Sequence, residues 1–544
     1  MTSLKDAIIF AVCLTGILIS FQGSISGSVV SSELDQNFDL VNKIPNSEKN
    51  DTSELTPLDG INATIQRGKA LFDLGRYEEA LPYYNKALGM DPNNTDALTS
   101  KGVTLYRLGE NQEANSYFEK VLTSKRNDTQ ALNHKGLALY YLDREQEAIT
   151  YYDKALAIDP ASRNVLYNKA NALYYLDQYE NAIAYYDKVL TINGSDTDAL
   201  YSKGNALADL GKSEEAITYY DKVLAIDAND TDALNNKGAA LDNLGKSEEA
   251  ITYYDKVLAI DANYIHALNN KGNALYNLGR SEEAITYYDK VLAIDANDTY
   301  ALNFKGVYLN SLGKYELAIV YLDKALSINS TNSTNSCNCV ILNNKAIALD
   351  GLGKYDEAVS NYDKALVIKP DDPESLYNKA LTLYHSGNYE GAITNYDKVI
   401  TLNPSELSCI CVLYNSKGLA LNALGKYEEA ITYFDKSLAL NSSDVTALNN
   451  KGISLDQLGK TEEAITYYNK ALLLEPINTD SLYNKALALD HLGKTEEAIA
   501  YYNKVLSIEP NNTQAHNSNS ISQSTLIGYR PTEEEHIGKR YLPL

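Results

Sequence analysis

The sequence predicts an all-α solenoid, one array of stacked helical hairpins, and three observations carry that prediction. A lysine followed by glycine or alanine returns every 34 residues, at Lys101-Gly102, Lys135-Gly136, Lys169-Ala170, Lys203-Gly204, Lys237-Gly238, Lys271-Gly272 and Lys305-Gly306. Within one period the apolar residues fall on two helical stripes, and a glycine stands between them. The echo pauses and resumes at Lys345-Ala346, Lys379-Ala380, Lys417-Gly418, Lys451-Gly452 and Lys485-Ala486; with Arg67-Gly68 as the first, there are thirteen units. Neighbouring units of such an array share one continuous core, so 544 residues need not be divided into several globular domains.

Residues 1–26 read as a signal peptide or N-terminal anchor: MTSLKD precedes an apolar run from Ala7 to Phe21, and Ser24-Ile25-Ser26-Gly27 offers a cleavage site. That run would span roughly 22 Å as a helix, short of a hydrocarbon core of about 30 Å, so cleavage is expected rather than a permanent anchor. The array is then exported, extracellular or on the cell surface; the alternative is an anchor formed by residues 7–21 with the array outside. Residues 27–60, rich in Ser, Asn, Asp and Glu without periodicity, read as a disordered linker.

The repeat from Ile265 to Asp298 serves as a specimen, its positions numbered 1 to 34. Leu268, Gly272 and Leu275 at positions 4, 8 and 11 form one helical stripe, and Gly279 at position 15 ends that helix. Ala284, Tyr288 and Val291 at positions 20, 24 and 27 form a second stripe, so each unit is a helical hairpin. Position 20 is always Ala, position 8 only Gly or Ala, and position 24 is aromatic except at Leu322. Small residues let the two axes approach, and the ring is expected to fill the space between hairpins.

These residues resemble the tetratricopeptide repeat (TPR) family, with Pro92, Pro160 and Pro510 matching its position-32 proline. The resemblance covers most of the chain and implies a right-handed superhelix with a concave groove lined by the first helices. Two departures stand out: Leu in place of the family's frequent Trp at position 4, and Lys in place of Leu at position 7. The lysine is expected to lay its stem along the stack and keep its ammonium wet. Repeats 1–8 occupy 61–332, repeats 9–10 occupy 339–406 and repeats 11–13 occupy 411–512, with insertions at 333–338 and 407–410. Residues 513–544 form a partial cap and polar tail, the cap either closing the stack weakly or leaving the last repeat open.

Helical geometry turns positions 2, 5, 6, 9, 12 and 13 away from the core stripe, which makes them the candidate peptide-binding residues. Position 6 holds Asn168, Asn236, Asn270, Asn344, Asn378, Asn450 and Asn484, and position 9 adds Asn171, Asn205 and Asn273. A ladder of carboxamides can pair with an extended backbone without reading its side chains. It resembles the asparagine ladder of O-linked glycosyltransferases, whose catalytic domain has no counterpart here; the bland reading is a solvated or locally bonded consensus residue. Tyr106, Tyr140, Tyr141, Tyr174 and Tyr175 make the early groove aromatic, and Asp209, Asp242, Asp350, Asp456 and Asp490 make the later groove acidic, unless they simply pack and solvate that face. Position 5 carries no lysine, which argues against a carboxylate clamp of the kind some family members use.

The formal charge of -24 disfavours nucleic acid and anionic lipid, so the expected partner is a protein or peptide, neutral or basic. Membrane association is expected only through the N-terminal segment. No small-molecule substrate, cofactor or metal is expected, and no catalytic constellation emerges: His134, His266, His385 and His491 lie one per unit. Each interruption of the period carries paired cysteines, Cys337 with Cys339 and Cys409 with Cys411, in what reads as the loop entering a first helix. Two repeats separate the pairs, which leaves a disulfide within a pair or between molecules, a metal shared between molecules, or plain thiols. Glycosylation sequons recur at position 33, at Asn93, Asn127, Asn229, Asn297 and Asn511. The function expected is a non-enzymatic scaffold that holds extended polypeptide; the alternatives are a structural spacer or glycosylated surface component, and an accessory subunit of an enzyme encoded elsewhere.

Overall fold

The computed structural model describes residues 57–329, 336–402 and 410–526. The signal or anchor, most of the linker, Cys409 and the polar tail beyond 526 lie outside the described residues. Among the described residues there are twenty-seven α-helices, from Pro57–Asp73 to Thr513–Leu526, and no strand. They fall into two compact units, 57–279 and 280–526, divided in the turn between helices Ile265–Asn277 and Ser281–Ile294.

In the first unit the repeat that begins at Thr197 shows why each hairpin forms. Asp196 caps helix Thr197–Asp209 by accepting the Ala199 N–H at 3.1 Å, a bond worth about 1 kcal/mol to the helix end. That helix closes in a Schellman turn: the Lys212 N–H reaches the Leu207 carbonyl at 2.8 Å and the Gly211 N–H reaches Ala208 at 2.9 Å. Gly211 has φ +77°, a left-handed geometry that costs a glycine nothing. Helix Ser213–Ile226 then folds back, and Leu207, Ala216 and Tyr220 pack with Ala240 of the following repeat.

The position-24 ring lies both on the first helix of its own hairpin and against the next repeat, as Tyr220 packs with Ala240 and Tyr288 meets Tyr308 at 5.4 Å between centroids. A Cβ built on Gly204 would lie 2.6 Å from Cε1 of Tyr220, so the ring rests on the backbone that the missing side chain leaves bare. Where position 8 is Ala170, Tyr186 remains fully buried, so the hairpin accommodates a methyl group there.

The second unit repeats this scheme around its two breaks. Leu322, the one aliphatic residue at position 24, occupies the ring's place over Gly306 and packs with Leu302, Leu309 and Ile341. At the first break the helix spans Ser336–Gly351, so Cys337 and Cys339 belong to a helix rather than a loop. The side chain of Cys337 lies outside the described residues. Cys339 is a buried free thiol, its pKa raised by burial to about 11, and Cys411 is a half-buried free thiol on helix Ile410–Ala423. After repeat thirteen, Thr513–Leu526 closes the stack, with Ala515 buried against Leu482 and Val505.

Candidate functional site

The face built from the first helices is held by three ladders, and each uses residues that the sequence had offered to a ligand or to water. The first ladder is the lysine at position 7. Lys203 is buried, with its ammonium 2.5 Å from Asp187 at position 25 of the preceding repeat and over the ring of Tyr219 at position 23 of its own, 4.4 Å from the centroid. Lys169, Lys271, Lys305, Lys417 and Lys451 make the same ion pair with Asp153, Asp255, Asp289, Asp397 and Asp435. Burial alone would lower the pKa of Lys203; the Asp187 carboxylate and the Tyr219 hydroxyl outweigh it and hold the pKa above its ordinary value. The ammonium is therefore not wet, and the departure from leucine at this position is a charge link between repeats.

The second ladder is asparagine. Asn168 Nδ2 donates to Asn133 Oδ1 at 2.9 Å, across to position 5 of the preceding repeat. The rung recurs from Asn270 to Asn235 at 3.1 Å, Asn344 to Asn303 at 2.9 Å, Asn378 to Asn343 at 3.3 Å, Asn450 to Asn415 at 3.1 Å and Asn484 to Asn449 at 3.2 Å. Asn236 donates instead to Tyr201 Oη at 2.8 Å and Asn205 Oδ1 at 3.0 Å. Asn168, Asn378 and Asn450 are buried, and Asn171 and Asn205 accept from the hydroxyls of Tyr186 and Tyr220 at 2.7 and 2.9 Å; Asn273 is half-buried. These carboxamides pair with the protein itself, because position 6 of one first helix faces position 5 of the one before it. The peptide-facing role given to them is corrected accordingly.

The third ladder joins position 12 to position 13 of the next repeat, always 35 residues on. Tyr106 meets Tyr141 at 5.3 Å between ring centroids and Tyr140 meets Tyr175 at 5.2 Å, edge to face. The Tyr174 hydroxyl donates to Asp209, and Asn277 donates to Asp242 at 3.2 Å. His385 bonds Asp350 at 3.1 Å and His491 bonds Asp456 at 2.9 Å. Asp490 accepts from Tyr502 at 3.1 Å and from Ser522 of the last helix. Burial raises the pKa of Asp209 and Asp242, each partly offset by its hydrogen-bond donors. In each unit the aromatic and acidic residues at positions 12 and 13 are thus linked in rungs rather than standing free.

Two features were missed. One is the neutral patch of repeats three and four: their twelve side chains at positions 2, 5, 6, 9, 12 and 13 carry no formal charge in a chain of net charge -24. His134 belongs to it, stacked on Phe118 at 5.6 Å and held neutral by burial, its pKa lowered to about 4. The other is Glu374, whose carboxyl accepts from Asn343 at 3.1 Å and is raised to about 7 by burial and then by Asp372. Counting charge by repeat would have found the patch; the glutamate gives no signal before the fold is known. The position-33 asparagines Asn93, Asn127, Asn229, Asn297 and Asn511 are all exposed. Among the described residues no cluster of three or more His, Cys, Asp or Glu could hold a metal ion, and no helix is long and apolar enough to cross a membrane.

Tetratricopeptide repeat models match residues 65–129 and 99–163, 204–245, 231–264, 266–298, 299–332, 408–473 and 479–512, together more than half of the chain. A model of subunit 3 of the anaphase-promoting complex (cyclosome) matches 143–223 and 351–437. No curated protein matches. Among solved structures, the Cut9-Hcn1 hetero-tetramer of the same complex aligns at TM-score 0.48 and 15% identity, over 86% of this chain and 96% of that one. A tetratricopeptide repeat protein from Parabacteroides merdae aligns at 0.40 and 21%, over 48% and 100%. YrrB, a repeat protein with an unusual peptide-binding site, aligns at 0.30 and 25%, over 35% and 97%.

Proposed function

Because the chain belongs to the tetratricopeptide repeat family, we propose that it is a non-enzymatic scaffold that holds extended polypeptide on its first-helix face. One observation carries this reading. Positions 4, 5, 6, 7, 8 and 11 keep nearly the same residues and hold the frame, whereas the rungs that join positions 12 and 13 change from Tyr with Tyr in the early repeats to Asp with His in later ones, and position 2 varies throughout. Fixed geometry with changing chemistry is what graded recognition of a long segment requires. The acidic rungs favour neutral or basic partners. Export through residues 1–26 is part of the proposal, with the array extracellular or on the cell surface. The exposed sequon asparagines favour one rival, a glycosylated spacer whose face stays empty.

The test compares two sets of lysine substitutions in peptide-library binding. Gln130→Lys, Asn164→Lys and Thr446→Lys place charge at exposed position-2 sites of the first-helix face, whereas Thr218→Lys and Thr252→Lys place it on exposed second-helix sites. Loss of binding in the first set alone supports the scaffold; equal binding in both sets sinks it and leaves the spacer.

A further inference from the structure

The tyrosines of repeats two to four form a continuous path within the first unit. Tyr106 meets Tyr141, Tyr141 meets Tyr140 edge to face at 5.1 Å, Tyr140 meets Tyr175, and Tyr175 meets Tyr174 at 5.9 Å. Tyr175 is the outermost ring, 40% exposed. Beneath it Tyr140 is 9% exposed, and its hydroxyl has no hydrogen-bond partner. A buried hydroxyl without a partner costs about 1–3 kcal/mol, so the patch has an unmet donor covered by one surface ring. In repeats three and four the side chains at positions 2, 5, 6, 9, 12 and 13 carry no formal charge, and His134 among them is neutral.

From these features we propose that this aromatic patch binds a proline-rich segment in the polyproline II conformation. The inference rests on the scaffold reading and names the ligand class for one part of that face. Proline has no N–H, so a proline-rich chain presents carbonyls and apolar rings and asks its site for aromatic faces and hydroxyl donors. The patch supplies both, and charge stands only at its borders, at Arg107 beside Tyr106 and at Asp209 bonded to Tyr174. The register also agrees. First helices bonded side by side by the asparagine rungs have axes about 8–10 Å apart, and one turn of polyproline II advances about 9.3 Å in three residues. A proline at every third residue thus meets one tyrosine pair per repeat, and Tyr175 turning aside gives a ligand carbonyl the Tyr140 hydroxyl.

Calorimetry on the full chain tests this with three neutral twelve-residue peptides: oligoproline, a Gly-Ser chain and an alternating Val-Thr chain. Oligoproline should bind in the micromolar range and the Gly-Ser chain should not, and Tyr175→Ala should weaken oligoproline at least about tenfold. Tyr175→Phe keeps the ring and should retain most of the affinity, while Tyr140→Phe, which deletes only the hydroxyl, should lose about 1 kcal/mol, roughly fivefold. Thermal melts of each variant separate lost binding from lost folding. If oligoproline binds no better than Gly-Ser, or if Tyr175→Ala binds it unchanged, the proposal is overturned. Binding of the Val-Thr chain alone would overturn it while leaving the scaffold reading in place, and binding of none would remove both.

Discussion

Lys203 and Asp187 sit in successive repeats with ammonium and carboxylate 2.5 Å apart, the lysine buried and the aspartate half in water. This asymmetry decides which partner matters. Asp187→Asn leaves a buried cation with only Tyr219 to stabilise it and should cost about 1–2 kcal/mol, discounted from a fully buried pair because Asp187 is solvated. Lys203→Met removes the buried charge and leaves an aspartate already in water, so it should be near neutral. Urea midpoints of both variants and of the double variant check this; Lys203→Met being the more damaging change would refute it.

Gly204 under Tyr220 looks intolerant of any side chain, yet Ala170 is accommodated by Tyr186 one repeat earlier. Gly204→Ala should therefore cost no more than about 1 kcal/mol, whereas Gly204→Leu, which no shift of the ring can absorb, should cost about 3 kcal/mol. Hydrogen exchange in helices Thr197–Asp209 and Ser213–Ile226 would show whether the loss stays local, as nearest-neighbour coupling in a repeat stack implies.

Asn450 tests the corrected role of the asparagines. It is 2% exposed and donates to Asn415, so Asn450→Ala should destabilise the protein by about 1–2 kcal/mol while leaving peptide binding unchanged. Reduced peptide affinity at unchanged stability would restore the ligand-facing role.

Glu374 makes stability depend on pH. Its folded-state pKa, raised to about 7, stands above the ordinary carboxylate value of about 4.3, so the native state holds the proton more tightly than the unfolded chain. Its contribution is present in full below about pH 4 and is lost as pH rises through 7. Glu374→Gln, a permanent mimic of the protonated form, should be more stable than the parent by about 1–3 kcal/mol at pH 8, with the difference fading towards pH 4 in thermal melts. A difference that grew on acidification would contradict the assignment.

The hairpins were legible because each depends on local rules that recur along the array: the stripe at 4, 8 and 11, the glycine at 15 in all repeats but those with Asp143 and Asp177, and a polar cap such as Asp196 or Asn478 before the first helix. The ladders were less legible, because their spacings, 35 residues for Asp350 with His385 and 16 for Asp187 with Lys203, are set by how repeats stack rather than by any one helix. The first break misled for a related reason: the start of helix Ser336–Gly351 lies ahead of the repeat frame, which turned an expected loop into a helical turn. The asparagines pointed the right way but were assigned to a ligand, since a polar side chain facing a neighbour looks the same in sequence as one facing solvent.

The last helix carries a consequence of its own. Where most earlier interfaces set an acidic residue at position 25 of one repeat against a lysine at position 7 of the next, as Asp435 against Lys451, the final interface sets Asn503 against Asn519 at 2.8 Å. A stack made of near-identical units has a polymer's problem: the end that accepts its own next unit would accept the first unit of a second molecule equally well. Helix Thr513–Leu526 carries Asn519 and Ser520 where the repeats carry Lys and Gly or Ala. A stack that ends on such a helix is expected to stay monomeric as concentration rises, which sedimentation of the full chain would check.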